Sequence, residues 1–169
     1  NNAGTFLDTE FEKISADDFT KTINLNVRGY MFASQAFAKK VTTMNHYKSI
    51  ICVGSSNSKA AEKNSVIYDT SKGAVLMMIR SLSLSLAEKN IRVNAVCPVL
   101  IATEGLNEAL NMAHAPGKGD PAGFIANFTK SNAALLRMPT KLEVGQMCVF
   151  LASEKASAIT GQCINVDCG

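Results

Sequence analysis

The chain has 169 residues, a length that suits one domain, and 47% hydrophobic against 18% charged residues is the balance of a chain that buries a core. Seventeen Lys and Arg against fourteen Asp and Glu leave a net charge of +3, with the basic residues scattered, so no nucleic-acid face is marked. No uncharged apolar run nears the roughly 18 residues of a membrane span, and no basic-then-apolar signal opens the chain.

Ser15, with Asp17 and Asp18 after it, has the pattern of a capped helix start. Apolar residues then recur in steps of three and four through Phe19, Ile23, Tyr30, Phe37 and Val41, which predicts one long amphipathic helix. Ser49 to Val53 is short, apolar and β-branched, and Gly54 ends it, so it predicts a buried strand. A polar loop runs from Ser55 to Ser65. A second long helix follows from Val66 to about Lys89, and Asn90 stops it. Ile91 to Cys97 is a second strand, closed by Pro98. Residues 104–139, rich in Pro, Gly, Asn and Ala, predict short helices and loop. Leu142 to Ala152 predicts a helix and Gln162 to Val166 a third strand.

Strands alternating with helices predict an α/β fold whose parallel sheet carries helices on both faces. Ligands of such sheets bind beyond the carboxyl ends of the strands, which directs attention to Gly4, Ser55 and Pro98 onward.

The five cysteines are odd in number and contain no Cys-x-x-Cys. Cys52, Cys97 and Cys148 lie in apolar runs, where a thiol acts as a small hydrophobe, and reduced thiols suit a cytoplasmic protein. The two histidines, His46 and His114, are too far apart to suggest a metal site, so no metal is expected. Asn127-Phe128-Thr129 spells a glycosylation sequon that reads as chance in a chain without a secretion signal.

Tyr68 and Lys72 stand at i and i+4, so a helix projects both from one face. A phenol with an ordinary pKa of about 10 is a poor base at neutral pH, and a nearby ammonium favours the phenolate. The pair therefore reads as a tuned acid/base device, with a neighbouring serine, Ser55 or Ser56 after the first strand, as a hydroxyl that hydrogen-bonds a substrate oxygen. Such a Tyr-x-x-x-Lys also arises readily by chance on a solvated helix. Tyr30 and Tyr47 lack the lysine and read as structural aromatics.

Asn1-Asn2-Ala3-Gly4, Gly54-Ser55-Ser56, Tyr68-Asp69-Thr70-Ser71-Lys72, Arg92 to Pro98 and Ile159-Thr160-Gly161-Gln162 occur in this order. Together they resemble the classical short-chain dehydrogenase/reductase family over nearly the whole chain. The resemblance implies a Rossmann-type doubly wound parallel sheet and a nicotinamide cofactor, NAD or NADP. It implies Tyr68 as general acid/base and Lys72 as the residue that lowers the tyrosine pKa and holds the nicotinamide ribose. It implies Ser55, with Ser56 as fallback, as the residue that polarises the carbonyl. Asn26 resembles the helix asparagine that supports a relay water, with Asn24 a near-register competitor. The Asn2-Ala3-Gly4 turn, Pro98, Val99, Ile101 and Thr103 would lie against the cofactor. Residues 104–139 would form a substrate lid, and the two long helices would carry a homo-oligomer, tetramer or dimer.

Two positions depart from the family pattern. Val99 stands where a glycine is usual, and a valine does not readily take a positive φ. Cys168 stands in the terminal Asp-Gly-Gly. The resemblance also implies that Asn1 follows the fourth strand of a domain of roughly 250 residues. Residues 1–169 would then be one Rossmann-like domain without its N-terminal βαβ units, the part that carries the phosphate-binding turn and selects NAD or NADP.

Three functions compete. The first is hydride transfer between nicotinamide and a secondary alcohol or ketone of a small substrate such as a sugar, polyol or 3-oxoacyl compound. The second is a nucleotide-binding or regulatory module without turnover. The third, a structural or nucleic-acid-binding domain, has no basic stripe or stacking motif behind it. Lys118 and Arg137 could meet an anionic substrate but read as solvated surface residues.

Overall fold

The computed structural model describes residues 1–41, 47–111 and 117–169; His46, His114 and Pro116 lie outside them. Helix α1 spans Ala16–Ile23, a wide turn Asn24–Arg28 follows, and α2 spans Gly29–Lys40. The expected start is present as a closed capping box: Ser15 Oγ accepts the Asp18 N–H at 3.1 Å, and Asp18 Oδ2 accepts the Ser15 N–H at 3.2 Å. The single long helix is corrected. Between α1 and α2 the Gly29 N–H reaches back five residues to the Asn24 carbonyl, a π-type turn.

That turn decides which face is buried. Thr22, Asn26, Tyr30, Ser34 and Ala38 recur every fourth residue and are buried, while Phe19, Leu25, Met31 and Phe32 are exposed. In an unbroken α-helix a step of four drifts by about 40° each time. The wide turn takes up the drift and keeps this stripe turned inward, with Asn26 bonded to Ser71 and Tyr30 in the core with Ile50 and Cys52. Of the apolar series, Tyr30 and Val41 are buried while Phe19 and Phe37 are exposed.

Strand β1 (Lys48–Val53), β2 (Ile91–Pro98) and β3 (Cys163–Val166) form one parallel sheet in that order. Lys48 pairs with Ile91 through to Val53 with Val96, and Ala95 with Cys163 through to Pro98 with Val166. Helix α3 (Val66–Ser85) stops before a short turn at Ala87–Lys89, and Asn90, at φ 53°, swings the chain into β2. On one face, Ile50, Cys52, Val93 and Ala95 pack with Tyr30 of α2 and Val75 and Ile79 of α3. On the other, Ile51, Val96 and Ile164 pack with Val144 and Leu151 of α6, which spans Lys141–Ala152. The period-two split across both faces is the expected double winding.

Asn1 lies along the outer edge of β1: its main-chain nitrogen donates to the Ile51 carbonyl at 2.9 Å and its carbonyl accepts the Val53 N–H at 2.8 Å. Between β2 and α6 lie α4 (Glu104–Leu110) and α5 (Pro121–Asn132), the latter capped by Asp120, whose Oδ1 accepts the Gly123 N–H at 2.9 Å. The sequon falls inside α5, where Thr129 is buried and its hydroxyl donates to the Ala126 carbonyl.

Arg92 of β2 is buried and serves α6. Its guanidinium donates to the carbonyls of Leu151 at 2.7 Å, Ser153 at 3.1 Å and Ile159 at 3.3 Å, closing the C-terminal end of the helix. Arg92→Met would strand these carbonyls. We expect a loss of about 3 kcal/mol in urea unfolding, and a change within about 0.5 kcal/mol would contradict that role. Among the described residues no helix is long and apolar enough to cross a membrane.

Candidate active site

The site forms where β1 ends. The Val53 carbonyl there accepts two hydrogen bonds, from Lys72 Nζ at 2.9 Å and from Tyr30 Oη at 3.2 Å. Lys72 is 4% exposed, and its ammonium sits between two rings, 5.8 Å from that of Tyr30 and 5.7 Å from that of Tyr68. Among the described residues no carboxylate pairs with it. Burial pulls its pKa below the ordinary lysine value, and the thiols of Cys97 and Cys52 oppose that.

Tyr68 lies one helical turn from Lys72, as the spacing requires, and its ring meets Phe6 edge-on at 4.9 Å. The expected pull of the lysine on the phenol is not what this arrangement gives. Burial pushes the Tyr68 pKa up, the Ser55 hydroxyl pulls it down, and Asp69, Glu62 and Cys97 push it up again. The reason is geometric: the Lys72 ammonium lies over the ring and is turned to the Val53 carbonyl. In the ligand-free chain Tyr68 is therefore expected to titrate above the ordinary phenol value. Phenolate absorbance of wild type minus Tyr68→Phe measures this, and a midpoint at or below that of a free phenol would contradict it.

Ser55 is buried, and its Oγ accepts the Asn57 N–H at 3.1 Å and stands 3.4 Å from Asn57 Oδ1. Ser56 is half-buried and its hydroxyl donates to Asn57 Oδ1 at 3.3 Å. Gly54 is required by the strand behind: a Cβ there would stand 2.7 Å from Cys97 Sγ. Gly54→Ala is expected to cost about 1–3 kcal/mol by overpacking, read as a lower urea midpoint; an unchanged midpoint would contradict this.

Asn26, in the wide turn, is fully buried, whereas Asn24 is exposed. Asn26 Oδ1 accepts the Thr5 N–H at 2.8 Å, and Nδ2 donates to the Thr5 carbonyl at 2.9 Å and to Ser71 Oγ at 3.0 Å. Ser71 in turn donates to the Tyr68 carbonyl at 2.7 Å. Asn26 thus binds the turn after Asn1 to the helix that carries Tyr68. Gly4 is drawn close: a Cβ there would lie 3.3 Å from Asn26 Oδ1 and 3.8 Å from Lys72 Nζ. Asn2 and Ala3 are exposed beside it.

The far rim is the loop after β2. Pro98, Val99 and Ile101 are half-buried, and Thr103 Oγ1 accepts the Leu106 N–H at 3.1 Å as the cap of α4. Val99 is not among the residues of positive φ, so the loop is built without the conformation a glycine would allow. Among the described residues no hydrogen bond joins this rim to Tyr68 or Lys72.

The structure thus gathers Ser55, Tyr68, Lys72, Asn26 and Gly4, with Pro98 to Thr103 opposite. Tyr30, which reads from the sequence as a structural aromatic, is in the core, where burial pushes its phenol up to about 12 and its hydroxyl shares the Val53 carbonyl with Lys72. Sequence reasoning missed the polar network of Asn57, Glu62 and Asp69, for which no motif exists. Cys97 is buried in the core, and a hydrogen bond from Cys163 draws its thiol below the ordinary value, with Lys59 helping, while Cys163 is pushed up. Arg137 is held by Glu143 in a two-pronged ion pair, at 2.9 and 2.7 Å. That pair drives the Glu143 pKa down to about 2.

A family model described as Enoyl-(Acyl carrier protein) reductase matches residues 1–169. An uncharacterized oxidoreductase of Thermotoga maritima is 31% identical over 169 residues, covering all of this chain and 64% of that protein. The chain spans less than two thirds of the curated relatives it matches, 60% in the case of oxidoreductase UcpA of Salmonella typhimurium. The ligand-free aldohexose dehydrogenase of Thermoplasma acidophilum superposes with a TM-score of 0.89 at 31% identity, over 100% of this chain and 65% of that one. ElxO with NADP bound gives 0.86 at 27%, over 100% and 64%. A 4-hydroxyisoleucine dehydrogenase complexed with NADH gives 0.82 at 25%, over 99% and 65%. The whole-length family match, together with the parallel α/β sheet shared with these dehydrogenases, places the chain in the short-chain dehydrogenase/reductase family.

Proposed function

We propose that this chain carries the proton-handling site of an NAD(P)-dependent oxidoreductase that interconverts a secondary alcohol and a ketone. The observation that carries the reading is Lys72: a buried ammonium, with no carboxylate partner among the described residues, set beside the Tyr68 ring and the bare backbone of Gly4. One of its protons goes to the Val53 carbonyl. The remaining N–H groups and the open approach at Gly4 fit the ribose hydroxyls of a nicotinamide dinucleotide. Lys72 and the Asn2-Ala3-Gly4 turn would hold that side, and Pro98, Val99, Ile101 and Thr103 the nicotinamide side. The dinucleotide is NAD or NADP, both of which occur among the structural neighbours. When bound, it supplies or accepts the hydride.

The chain's own residues handle the oxygen. Ser55 donates a hydrogen bond to the carbonyl, and Tyr68 gives the proton as the alcohol forms or takes it back in oxidation. A buried phenol stays protonated at neutral pH, which readies it as the donor in reduction. Asn26 holds the Gly4–Thr5 turn and α3 in register, so that a relay water has fixed walls.

The substrate is a small carbonyl compound such as a sugar, polyol or 3-oxoacyl compound, under a lid formed by residues 104–139. Arg137 is committed to Glu143, which argues against its meeting an anionic substrate. Residues 1–169 form one Rossmann-like domain. A homo-oligomer, tetramer or dimer, would cover the exposed Phe19, Leu25 and Phe32 outside α1 and α2, and Val66, Met77 and Leu84 of α3. A cytoplasmic protein with reduced thiols completes the reading.

Oxidation of NADH and NADPH by the full chain, followed spectrophotometrically across sugars, oxo-polyols and 3-oxoacyl thioesters, tests it. Turnover of at least one class is expected. Tight dinucleotide binding with no turnover across the panel would favour a binding module instead.

A further inference from the structure

Between Ser55 and Tyr68 lies a side chain that touches both of their elements. Asn57 belongs to the short turn Ser56–Ser58 after β1, and Asp69 is the neighbour of Tyr68 in the first turn of α3. Asn57 Nδ2 donates to Asp69 Oδ1 at 2.8 Å and to Glu62 Oε2 at 3.1 Å. The other Asp69 oxygen accepts the Glu62 N–H at 2.8 Å, which ties the loop to α3 a second time. Ionised carboxylates only accept hydrogen bonds, so the two acids determine which end of the Asn57 amide faces them. The NH₂ end points to Asp69 and Glu62, and Oδ1 is left facing the hydroxyls of Ser55 at 3.4 Å and Ser56 at 3.3 Å. The Asn57 backbone N–H meanwhile donates to Ser55 Oγ at 3.1 Å.

One residue therefore presents both a donor and an acceptor to Ser55. With Asn57 N–H on its oxygen and Asn57 Oδ1 receiving its proton, Ser55 has one free lone pair. The Ser55 proton, resting on Asn57 Oδ1 at 3.4 Å, is the part that must swing toward the Tyr68 oxygen or an entering carbonyl. We propose that Asn57 and Asp69 are positioning residues that fix the rotamer and the donor sense of Ser55 relative to Tyr68. This rests on the reading of Ser55 and Tyr68 given above. Because Asp69 rides on the same helical turn as Tyr68, the acid and the loop that holds Ser55 move as a unit. Asp69 also sets the charge around the phenol. The charged and titratable groups that face Tyr68 are Lys72 over its ring, Asp69 on its own helix, Glu62 of the loop, Cys97 of β2 and Tyr30 of α2.

The test is a double-mutant cycle in the full chain, with thermal melting recorded for each variant. Asn57→Ala should lower kcat about 10- to 100-fold, the cost of a misplaced catalytic group, with KM changed much less. In a Ser55→Ala background the same substitution should cost under about twofold, because its effect runs through Ser55. Asp69→Asn, which keeps shape and removes charge, should move the Tyr68 limb of the pH profile to lower pH. An equal fall in kcat in both backgrounds would overturn the positioning role, as would an unmoved pH limb in Asp69→Asn. If Ser55→Ala and Tyr68→Phe themselves leave turnover intact, the site reading fails, and this inference fails with it.

Discussion

Tyr68→Phe is expected to lower turnover by about 10²–10⁴-fold, the contribution of a positioned general acid, while leaving the fold and dinucleotide binding near those of wild type. The substitution removes one oxygen and keeps the ring. The edge-on contact with Phe6 at 4.9 Å and the place of the ring beneath the Lys72 ammonium at 5.7 Å survive. Among the described residues the phenol oxygen accepts no backbone donor, so no helix or strand bond is lost with it. A fall in kcat without a fall in melting temperature assigns the proton to Tyr68. A fall confined to KM would assign Tyr68 to substrate binding alone.

Asn26→Ala is expected to cost about 3 kcal/mol of stability, as much as Arg92→Met. Asn26 is fully buried and makes three hydrogen bonds, to the Thr5 N–H, the Thr5 carbonyl and Ser71 Oγ. Alanine leaves each partner unsatisfied in the interior and opens a void in the wide turn. Turnover should fall as well, because the Gly4 backbone is then no longer held beside Lys72. Asn26→Asp discriminates. It keeps an acceptor for the Thr5 N–H but sets a second oxygen against the Thr5 carbonyl, so it should also destabilise. Urea midpoints at unchanged m-value measure both, and a loss below about 0.5 kcal/mol for Asn26→Ala would contradict the role given to this side chain.

Much of this architecture is readable from residues. Ser49 to Val53 and Ile91 to Cys97 declare their strands through β-branched runs that end in Gly54 and Pro98, and both strands are found within a residue of those limits. The capping pattern at Ser15 is realised in full. The i, i+4 spacing of Tyr68 and Lys72 places them together because α3 is an unbroken helix there. What the sequence hides depends on backbone irregularity or on partners far apart in the chain. The wide turn at Asn24–Arg28 shifts the buried face of the first helical segment, so Phe19 and Phe37 point outward although their spacing reads as core. The upward push on the Tyr68 phenol comes from burial and from acids brought in by the loop, neither of which is visible in a Tyr-x-x-x-Lys spacing. Likewise, Asn57 meets Asp69 only because the loop after β1 folds back onto α3.

The most direct measurement follows the hydride and the proton separately. The full chain is given nicotinamide dinucleotide carrying deuterium at the transferable C4 position and a ketone that it turns over, and the alcohol is analysed by mass spectrometry. The account predicts one deuterium on the carbinol carbon in wild type. It predicts formation of the same labelled product slowed by about 10²–10⁴-fold in Tyr68→Phe. Product without deuterium on carbon, or labelled product formed equally fast by Tyr68→Phe, would contradict it.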